Sequence, residues 1–324
     1  MPLGEFDLIA HYLAPLSAGL PGAFSLTDDA AALPVPPGHE LVVTTDAFIA
    51  GIHFLDTDGP GRIAQKLLRV NLSDLAAKGA TPYAYQLVLG LPAAPDAAWL
   101  AAFTAGLAED QARYGIRLSG GDTVRAPGGL MLSLTALGLV PQGGMIRRSA
   151  ALAGDGLFVT GSIGDAWLGL QAKLGRLTLP EAAGAFCDTR LHLPEPRLGF
   201  GLGMRGLARA AMDVSDGLLQ DAGHMARQAG LMVEISAADI PLSAAALAAG
   251  QPLTNLLAGG DDYEILLAAP PEAEAALQSL ARDNATQLTR IGRFLAAGEG
   301  GDGLRLLDAA GQPMLIGPRG YQHF

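Results

Sequence analysis

The segment 212-MDVSDGLLQDAGHMA-226 decides the fold class, because a short apolar run, a polar turn and the start of a helix follow one another in it. This order is typical of a strand-to-helix junction in an α/β protein, and loops at strand ends are where such proteins bind ligands. Asp213, Ser215 and Asp216 lie at the junction. One interpretation is helix capping, in which Ser215 or Asp216 accepts N–H groups of the helix. Capping leaves Asp213 without a role.

Helical and strand patterns alternate along the rest of the chain. Apolar spacing predicts helices at 5–16, 61–79 and 97–115, and strands at 41–49, 85–91, 130–140, 157–160, 231–235 and 263–269. A glycine-rich loop is predicted at 119–129. Pro and Gly are concentrated at 141–156, which marks a boundary. We therefore predict an α/β (α+β) protein with two domains, residues 1–143 and 144–324.

Composition limits the possible classes of function. Of the 324 residues 50% are hydrophobic and 16% charged, and the net charge of −11 argues against a nucleic-acid partner, which would require a basic surface. The chain start lacks a basic signal region, and no apolar run approaches the ~18 residues of a membrane helix. We expect a cytoplasmic protein. Cys187, the single cysteine, excludes an intrachain disulfide and is expected to be a small, partly buried hydrophobic side chain rather than a nucleophile.

Acidic residues recur beside Gly, Ser or Thr, most of them at the ends of apolar runs. They include Asp29, Asp46, Asp74, Asp122, Asp213, Asp216 and Asp261. Taken alone, Asp29 could be a turn residue, Asp46 a helix cap and Asp74 a surface partner of Lys78. Taken together, they suit Mg²⁺, which requires several oxygen ligands and shares them with substrate phosphates. The chain has no Cys or His cluster, which disfavours zinc and iron.

Several catalytic classes lack their motifs in this sequence. There is no G-x-x-x-x-G-K-[ST] phosphate loop, no G-x-S-x-G elbow and no protein-kinase set. The turn 161-GSIGD-165 is similar to a phosphate-binding turn, but tight packing between a strand and a helix is the favoured explanation. The residues alone thus predict an α/β protein with a Mg²⁺–phosphate site.

A set of segments resembles the thiamine-monophosphate kinase family from one end of the chain to the other. The segments are 4-GEFDLIAHYL-13, 28-DDAA-31, 44-TTDAFIAGIHF-54, 70-VNLSDLAAKGATP-82, 120-GGDTVR-125, 147-RRSAALAGDG-156, 212-MDVSDGL-218, 259-GGDDYEIL-266 and 320-GYQHF-324. The NLSDLAAKGA and D-x-SDGL pieces are shared with a wider superfamily that includes aminoimidazole-ribonucleotide synthetase. The GIHF and GYQHF pieces indicate the kinase branch.

The resemblance implies a fold, a reaction and a set of site residues. The N-terminal sheet would pair with its twin in a homodimer to form a dimer-spanning barrel, and the C-terminal domain would hold a mixed sheet with helices. The reaction would be ATP-dependent phosphorylation of thiamine monophosphate to thiamine diphosphate with several Mg²⁺ ions. Metal ligands would be Asp29, Thr44, Thr45, Asp46, Asp74, Asp122, Asp213 and Asp216, of which Asp122 and Asp213 would be catalytic. ATP would contact Tyr114, Gly121, Asp122, Arg148 and Ser215, and the substrate would contact His53, Asp261 and Tyr321.

Three positions depart from the family pattern, and two alternatives to the kinase stay open. Thr27 stands where the family usually has Gly, Asp261 where it often has Glu, and Pro318 where an aromatic residue is common. Stacking on the thiamine rings would then pass to Tyr321 or be absent. The alternatives are another ATP-dependent enzyme of the superfamily, similar to aminoimidazole-ribonucleotide synthetase, and a non-catalytic nucleotide-binding relative.

Overall fold

The computed structural model describes residues 4–93, 95–297, 303–317 and 319–321. The chain divides into two compact units. The N-terminal unit is Met1–Leu75 with Ala80–Gly143, and the C-terminal unit is Ala76–Gly79 with Gly144–Phe324. Each unit contains one sheet accompanied by helices, so the predicted α/β class is confirmed.

The N-terminal unit begins with the predicted helical run and continues into a four-stranded sheet. The run is α-helical at Glu5–Leu8 (α1), π-helical at Ile9–Leu13 and 3₁₀-helical at Ala14–Ser17, with a further 3₁₀ segment at Pro21–Leu26. The remaining elements are β1 (His39–Ile49), α2 (Pro60–Ala77), β2 (Thr81–Leu91), α3 (Ala97–Tyr114), β3 (Arg117–Arg125) and β4 (Met131–Pro141). The strand order is β1-β4-β2-β3, and β2–β3 is the parallel pair.

Strand β1 shows the alternation expected of a strand with one covered face. Val42 and Phe48 are buried, whereas Leu41, Val43 and Ile49 are 40%, 57% and 44% exposed. Because successive side chains point to opposite faces, the exposed apolar residues share one side of the sheet. This outer face of β1 is polar only at Thr45 among its central positions 41, 43, 45, 47 and 49.

The prediction of a loop at 119–129 is wrong for residues 119–125, which belong to strand β3. Gly121 lies so close to β2 that a Cβ atom there would be 1.8 Å from the carbonyl oxygen of Leu87. The parallel pairing of the two strands also shifts register between Tyr85 and Gln86. Glycine at this point therefore permits close approach of two strand backbones, although in the sequence it looks like a turn signal.

The C-terminal unit contains a six-stranded mixed sheet with helices, as predicted. Its elements are β5 (Gly156–Thr160), α4 (Asp165–Lys173), α5 (Glu181–His192), α6 (Leu198–Gly203), β6 (Ala210–Asp213), α7 (Leu218–Gln228), β7 (Leu231–Ser236), α8 (Ala244–Ala249), α9 (Leu253–Leu257), β8 (Ile265–Ala269), α10 (Glu274–Asp283), β9 (Leu288–Ala296) and β10 (Leu304–Leu307). The strand order is β10-β7-β9-β5-β8-β6, with β10–β7 parallel and the other pairs antiparallel.

Hydrophobic core covers both faces of the six-stranded sheet, and the side chains of β5 contribute to both sides. Leu157 and Val159 join the cluster that contains α7, and Phe158 joins the cluster that contains residues of α6 and α10. A strand covered on both faces is a continuous apolar run, which is how it was recognised in the sequence. Cys187 is buried in a third cluster, and burial, followed by the charge of Asp165, raises the pKa of its thiol to about 12. In the described part of the chain, no helix combines the length and apolarity needed to cross a bilayer.

Candidate functional site

The junction between β6 and α7 is organised by a carboxylate that the sequence reasoning missed. Asp221 Oδ2 accepts the backbone N–H groups of Ser215, Asp216 and Gly217 at 3.1, 3.1 and 3.3 Å. The capping interpretation of Ser215 and Asp216 is therefore wrong, because the helix is preceded by Gly217 and Asp221 binds the turn from inside α7. Burial, followed by the charge of Asp216, raises the pKa of Asp221 to about 7. The available signal was an acid in the first turn of a helix.

A second acidic loop, which contains Asp261 and Asp262, lies directly against this junction. The N–H of Asp261 donates to the carbonyl of Ser215 at 2.8 Å, and the N–H of Tyr263 donates to that of Val214 at 2.8 Å. Asp261 and Tyr263 both have positive φ, 63° and 50°, and the Tyr263 hydroxyl donates to Asp261 Oδ1 at 3.1 Å. Gly260 permits the approach, since a Cβ atom there would lie 2.5 Å from the carbonyl oxygen of Ser215.

Buried ion pairs hold this second loop in place. Glu264 is fully buried and receives Arg190 at 2.6 Å and Arg197 at 2.6 and 2.7 Å. Burial alone would raise the pKa of Glu264, but the two guanidinium groups outweigh it and hold the pKa below its ordinary value. Asp262, also buried, accepts the N–H of Gly164, and burial raises its pKa well above the ordinary range.

The turn 161-GSIGD-165 is a packing turn, as favoured from the sequence. A Cβ atom at Gly161 would lie 2.0 Å from Glu264 Oε1, and one at Gly164 would lie 2.6 Å from Leu256 Cβ. The N–H of Gly164 is directed at the carboxylate of Asp262. The two glycines thus allow close packing of β5, α4 and the second acidic loop.

The C-terminal segment, by which we mean residues 319–321, reaches the same junction. The N–H of Tyr321 donates to the carbonyl of Asp216 at 2.9 Å. The Gln220 side-chain amide donates to the carbonyl of Tyr321 at 2.9 Å and to Asp216 Oδ2 at 3.1 Å. The structure therefore brings Ser215, Asp216, Asp261 and Tyr321 together. Pro318 and residues 322–324, which complete the predicted substrate segment, lie outside the described residues.

Arg148 and Asp213 belong to the same region of the C-terminal unit. Burial lowers the pKa of His224, and the charges of Arg227 and Arg148 lower it further, whereas the charge of Asp216 raises it. The charges of Arg148 and Asp216 thus both act on His224 of α7. Asp213 ends β6, is 7% exposed and pairs in register with Ile265 of β8.

In the N-terminal unit, three predicted metal ligands lie together between β1 and α2. The hydroxyl of Thr44 donates to Asp74 Oδ2 at 2.5 Å. Burial, followed by the charge of Asp74, raises the pKa of Asp46 to about 7. Thr45 lies on the opposite face of β1, where its hydroxyl is hydrogen-bonded to that of Thr135 at 2.8 Å. The Thr45 side chain would have to leave Thr135 to share a cation with Asp46.

A pocket of about 970 Å³ in this unit holds a second group of predicted residues. Asp29, Gly121 and Asp122 contribute to its lining, together with the apolar side chains of Phe6 and Ile9. Both carboxylates are exposed to solvent. A lining that combines carboxylates with apolar side chains suits a ligand that has both charged and apolar parts.

His53 and Tyr114 lie apart from that pocket. His53 stacks on Phe48 at 5.5 Å, and its Nδ1 accepts the N–H of Ile49 at 3.1 Å, which assigns the proton of the neutral ring to Nε2. Tyr114 ends α3, and the guanidinium groups of Arg69 and Arg113 lie 5.6 and 5.0 Å from the centre of its ring.

The acids fit a hard cation in chemistry, although they do not form a complete cage. Across residues 4–93, 95–297, 303–317 and 319–321, no three His, Cys, Asp or Glu side chains are grouped closely enough to hold a metal ion. The groups provide carboxylate and hydroxyl oxygens, which are the donors that Mg²⁺ prefers. Water and the phosphate oxygens of a substrate would supply the remaining ligands, as is usual for Mg²⁺.

Comparison with known proteins identifies relatives along the whole chain. The family model "AIR synthase related protein, N-terminal domain" matches residues 27–140, and the corresponding C-terminal domain matches residues 153–303. The thiamine-monophosphate kinase of Caulobacter vibrioides is 47% identical over 306 residues, covering 92% of this chain and 86% of the relative. That of Salmonella typhimurium is 38% identical over 329 residues, covering 100% and 99%.

Solved structures give the same result. The thiamine-monophosphate kinase of Stenotrophomonas maltophilia has a TM-score of 0.81 and 38% identity, covering 89% of this chain and 91% of its own. A structure described as AaThiL complexed with AMPPCP and TMP has a TM-score of 0.78 and 28% identity, covering 99% and 97%. A hydrogenase maturation protein in complex with ATP is similar at a TM-score of 0.80 and 17% identity, which shows a shared fold alone.

Proposed function

This chain belongs to the thiamine-monophosphate kinase family, and we propose that its acidic loops carry out the family's reaction by direct Mg²⁺-assisted transfer. The enzyme transfers the γ-phosphoryl group of ATP to thiamine monophosphate, giving thiamine diphosphate and ADP. Within the structure, the observation that carries the proposed mechanism is the convergence of Ser215, Asp216, Asp261 and Tyr321 at one junction. The proposed metal ligand Asp216 thereby lies beside Asp261 and Tyr321, the proposed contacts of thiamine monophosphate.

In the proposed mechanism, the carboxylates hold cations against the phosphates of ATP. The ligands would be Asp29, Asp46, Asp74, Asp122, Asp213 and Asp216, with oxygens of Thr44 and Thr45. When bound, Mg²⁺ would supply positive charge that offsets the negative charge of the phosphate oxygens, which is most of what phosphoryl transfer requires. Asp122 and Asp213 would be indispensable, because they connect the cations to the rigid strands β3 and β6.

Other residues would hold ATP and thiamine monophosphate in line. Gly121, Arg148 and Ser215 would contact ATP, with Tyr114 as a further contact. His53, Asp261 and Tyr321 would contact the substrate. An oxygen of the substrate phosphate attacks the γ-phosphorus while the bond to the leaving ADP oxygen breaks. That oxygen is already nucleophilic near neutral pH, so no catalytic base is required. The rate enhancement would come from holding the attacking oxygen and the γ-phosphorus in line.

We further propose a cytoplasmic homodimer. Residues 1–143 would form the domain that binds ATP and Mg²⁺ and makes the dimer contact, and residues 144–324 would form the C-terminal α/β domain. The outer face of β1, with Leu41, Val43 and Ile49 exposed, supports this assignment. Exposed apolar patches of this kind mark interaction surfaces. Pairing of two such sheets would complete a dimer-spanning barrel. Neither a nucleic acid nor a membrane is proposed as a partner.

The experiment that tests this function is turnover of Mg²⁺-ATP by the purified protein. Thiamine monophosphate, thiamine and an aminoimidazole precursor are offered separately, and product masses are recorded. We expect thiamine diphosphate from the monophosphate alone. Ring closure of the aminoimidazole precursor would favour the synthetase-like alternative. ATP binding without turnover of any of the three would favour the non-catalytic alternative.

A further inference from the structure

Gln220 joins two segments that the proposed function uses for different purposes. It lies in the first turn of α7, and its side-chain amide donates one hydrogen bond to Asp216 Oδ2 at 3.1 Å and another to the carbonyl of Tyr321 at 2.9 Å. An amide NH₂ has two donors, and both are used here. The first bond orients a carboxylate assigned to metal, and the second fixes the backbone of the C-terminal segment.

The C-terminal segment packs closely against Asp216 and Gln220. A Cβ atom at Gly320 would lie 2.6 Å from the carbonyl oxygen of Asp216 and 2.7 Å from Gln220 Cβ. The N–H of Tyr321 donates to that same Asp216 carbonyl at 2.9 Å. The side chain of Gln220 and the main chain of Asp216 thus both anchor the segment, and glycine is required for the contact. The Tyr321 side chain remains 48% exposed at the end of this anchored stretch.

We propose that Gln220 is a positioning residue that couples the orientation of Asp216 to the placement of the C-terminal segment. This inference rests on the proposed function, in which Asp216 binds metal and Tyr321 faces thiamine monophosphate. A substrate that orders Tyr321 stabilises the Gln220 bonds and with them the Asp216 carboxylate. Coupling between two sites is reciprocal, so Mg²⁺ at Asp216 and thiamine monophosphate at Tyr321 each increase the affinity for the other.

The test compares Gln220→Ala with Gln228→Ala. Both variants remove the same amide from α7, but Gln228 is an exposed residue at the other end of the helix. Loss of a hydrogen bond to a charged group corresponds to a change of roughly 12- to 150-fold. We expect Gln220→Ala to raise the KM for thiamine monophosphate and the half-saturating Mg²⁺ concentration by about that factor. The KM for ATP at saturating Mg²⁺ stays within about twofold.

Gln220→Glu separates the hydrogen bonds from simple space filling. Glutamate keeps the length of the side chain but has no N–H donor, and it places a second negative charge beside Asp216. The expected increase in the KM for thiamine monophosphate is therefore at least as large as that of the alanine variant. A Glu variant with wild-type constants would overturn the assignment, because packing alone would then explain the contact.

Hydrogen exchange supplies a readout that does not depend on activity. The Tyr321 amide is bonded to Asp216, so its exchange should be at least several-fold faster in Gln220→Ala and unchanged in Gln228→Ala. Faster exchange with an unchanged KM for thiamine monophosphate would overturn the positioning role. Unchanged exchange would overturn the link itself. If the wild-type protein made no thiamine diphosphate, the proposed function would fail together with the positioning role, and exchange would still show whether the link exists.

Discussion

At the scale of single residues, Asp122 offers the cleanest test of the proposed metal chemistry. Its side chain is exposed on β3, and its Oδ1 accepts the N–H of Thr123 at 2.8 Å. An asparagine has the same shape and can keep that bond, so we expect Asp122→Asn to leave the melting temperature within about 1–2 °C. Because the amide cannot balance the charge of a cation, kcat/KM should fall by at least ~100-fold.

The matched control for this change is Asp283→Asn. Asp283 is an exposed acid at the end of α10. Steady-state kinetics and thermal unfolding of both variants decide the question. Activity of Asp122→Asn equal to that of the control would remove Asp122 from the catalytic set. A large drop in melting temperature would instead indicate a structural role.

At the scale of elements, the buried pairs of Glu264 should determine how the C-terminal unit responds to acid. The pKa of Glu264 is below its ordinary 4.5 in the folded state. A depressed carboxyl pKa contributes stability that is complete above the unfolded pKa and is lost as the pH falls through the folded pKa. We expect the free energy of unfolding to decrease below about pH 4.5, with a smaller decrease in Glu264→Gln.

The partners of Glu264 predict a second, larger effect. Arg197→Met leaves the buried carboxylate with a single guanidinium partner, that of Arg190, and the loss of hydrogen bonds to a buried charge costs about 1.5–3 kcal/mol. Denaturant unfolding at pH 7 measures this loss. The double variant Arg197→Met/Glu264→Gln should recover part of it, since it removes the carboxylate that lost one of its two guanidinium partners. A double variant no more stable than Arg197→Met would show that the charge is not the cause.

Elements were predicted well where one physical signal dominated the sequence. The strand–turn–helix at 212–226 and the apolar runs of β4 and β5 were recognised because burial produces alternation or a continuous apolar run. Strand β9 was missed, because Leu288, Ile291 and Phe294 are its buried residues and a shift in its register with β5 breaks the alternation. Among the predicted acids, Asp29, Asp216 and Asp261 lie in loops, whereas Asp46, Asp122 and Asp213 lie in strands and Asp74 lies in α2. The roles of Asp221 and Gln220 depend on contacts that a linear pattern does not encode.

At the scale of the whole molecule, cation binding should depend on the nucleotide. Within the described residues the acids do not form a three-ligand group, so Mg²⁺ alone has few ligands to bind. Phosphate oxygens would complete the coordination. We expect Mg²⁺ alone to raise the melting temperature by less than about 1 °C. Mg²⁺ with AMPPCP at 100 times its Kd should add ~2.7 kcal/mol, a shift of a few degrees.

Thermal unfolding with four samples measures this dependence: protein alone, with Mg²⁺, with AMPPCP and with both. EDTA added to the complete mixture should reverse the shift. Equal stabilisation by AMPPCP with and without Mg²⁺ would contradict a cation-mediated site. Full stabilisation by Mg²⁺ alone would mean that a cation cage exists without the nucleotide.

The outer face of β1 predicts the oligomeric state. Val43 is 57% exposed and pairs in register with Leu137 of β4, so Val43→Asp places a charge on the apolar face without entering the core. Interfaces that sustain a stable dimer bury more than about 1,000 Å² and tolerate a central unpaired charge poorly. We expect the wild-type chain to be a dimer and Val43→Asp a folded monomer. The physical reason is that the charge would lose its water without gaining a partner.

Light scattering after size-exclusion chromatography measures the mass, and circular dichroism verifies the fold. Leu247→Asp is the matched control, since Leu247 is 67% exposed on α8 of the C-terminal unit and lies outside the sheet face. That control should remain a dimer. A monomeric wild type would refute the proposed dimer. A dimer that survives Val43→Asp would move the interface away from the outer face of β1, and the dimer-spanning barrel would no longer explain why that face is apolar.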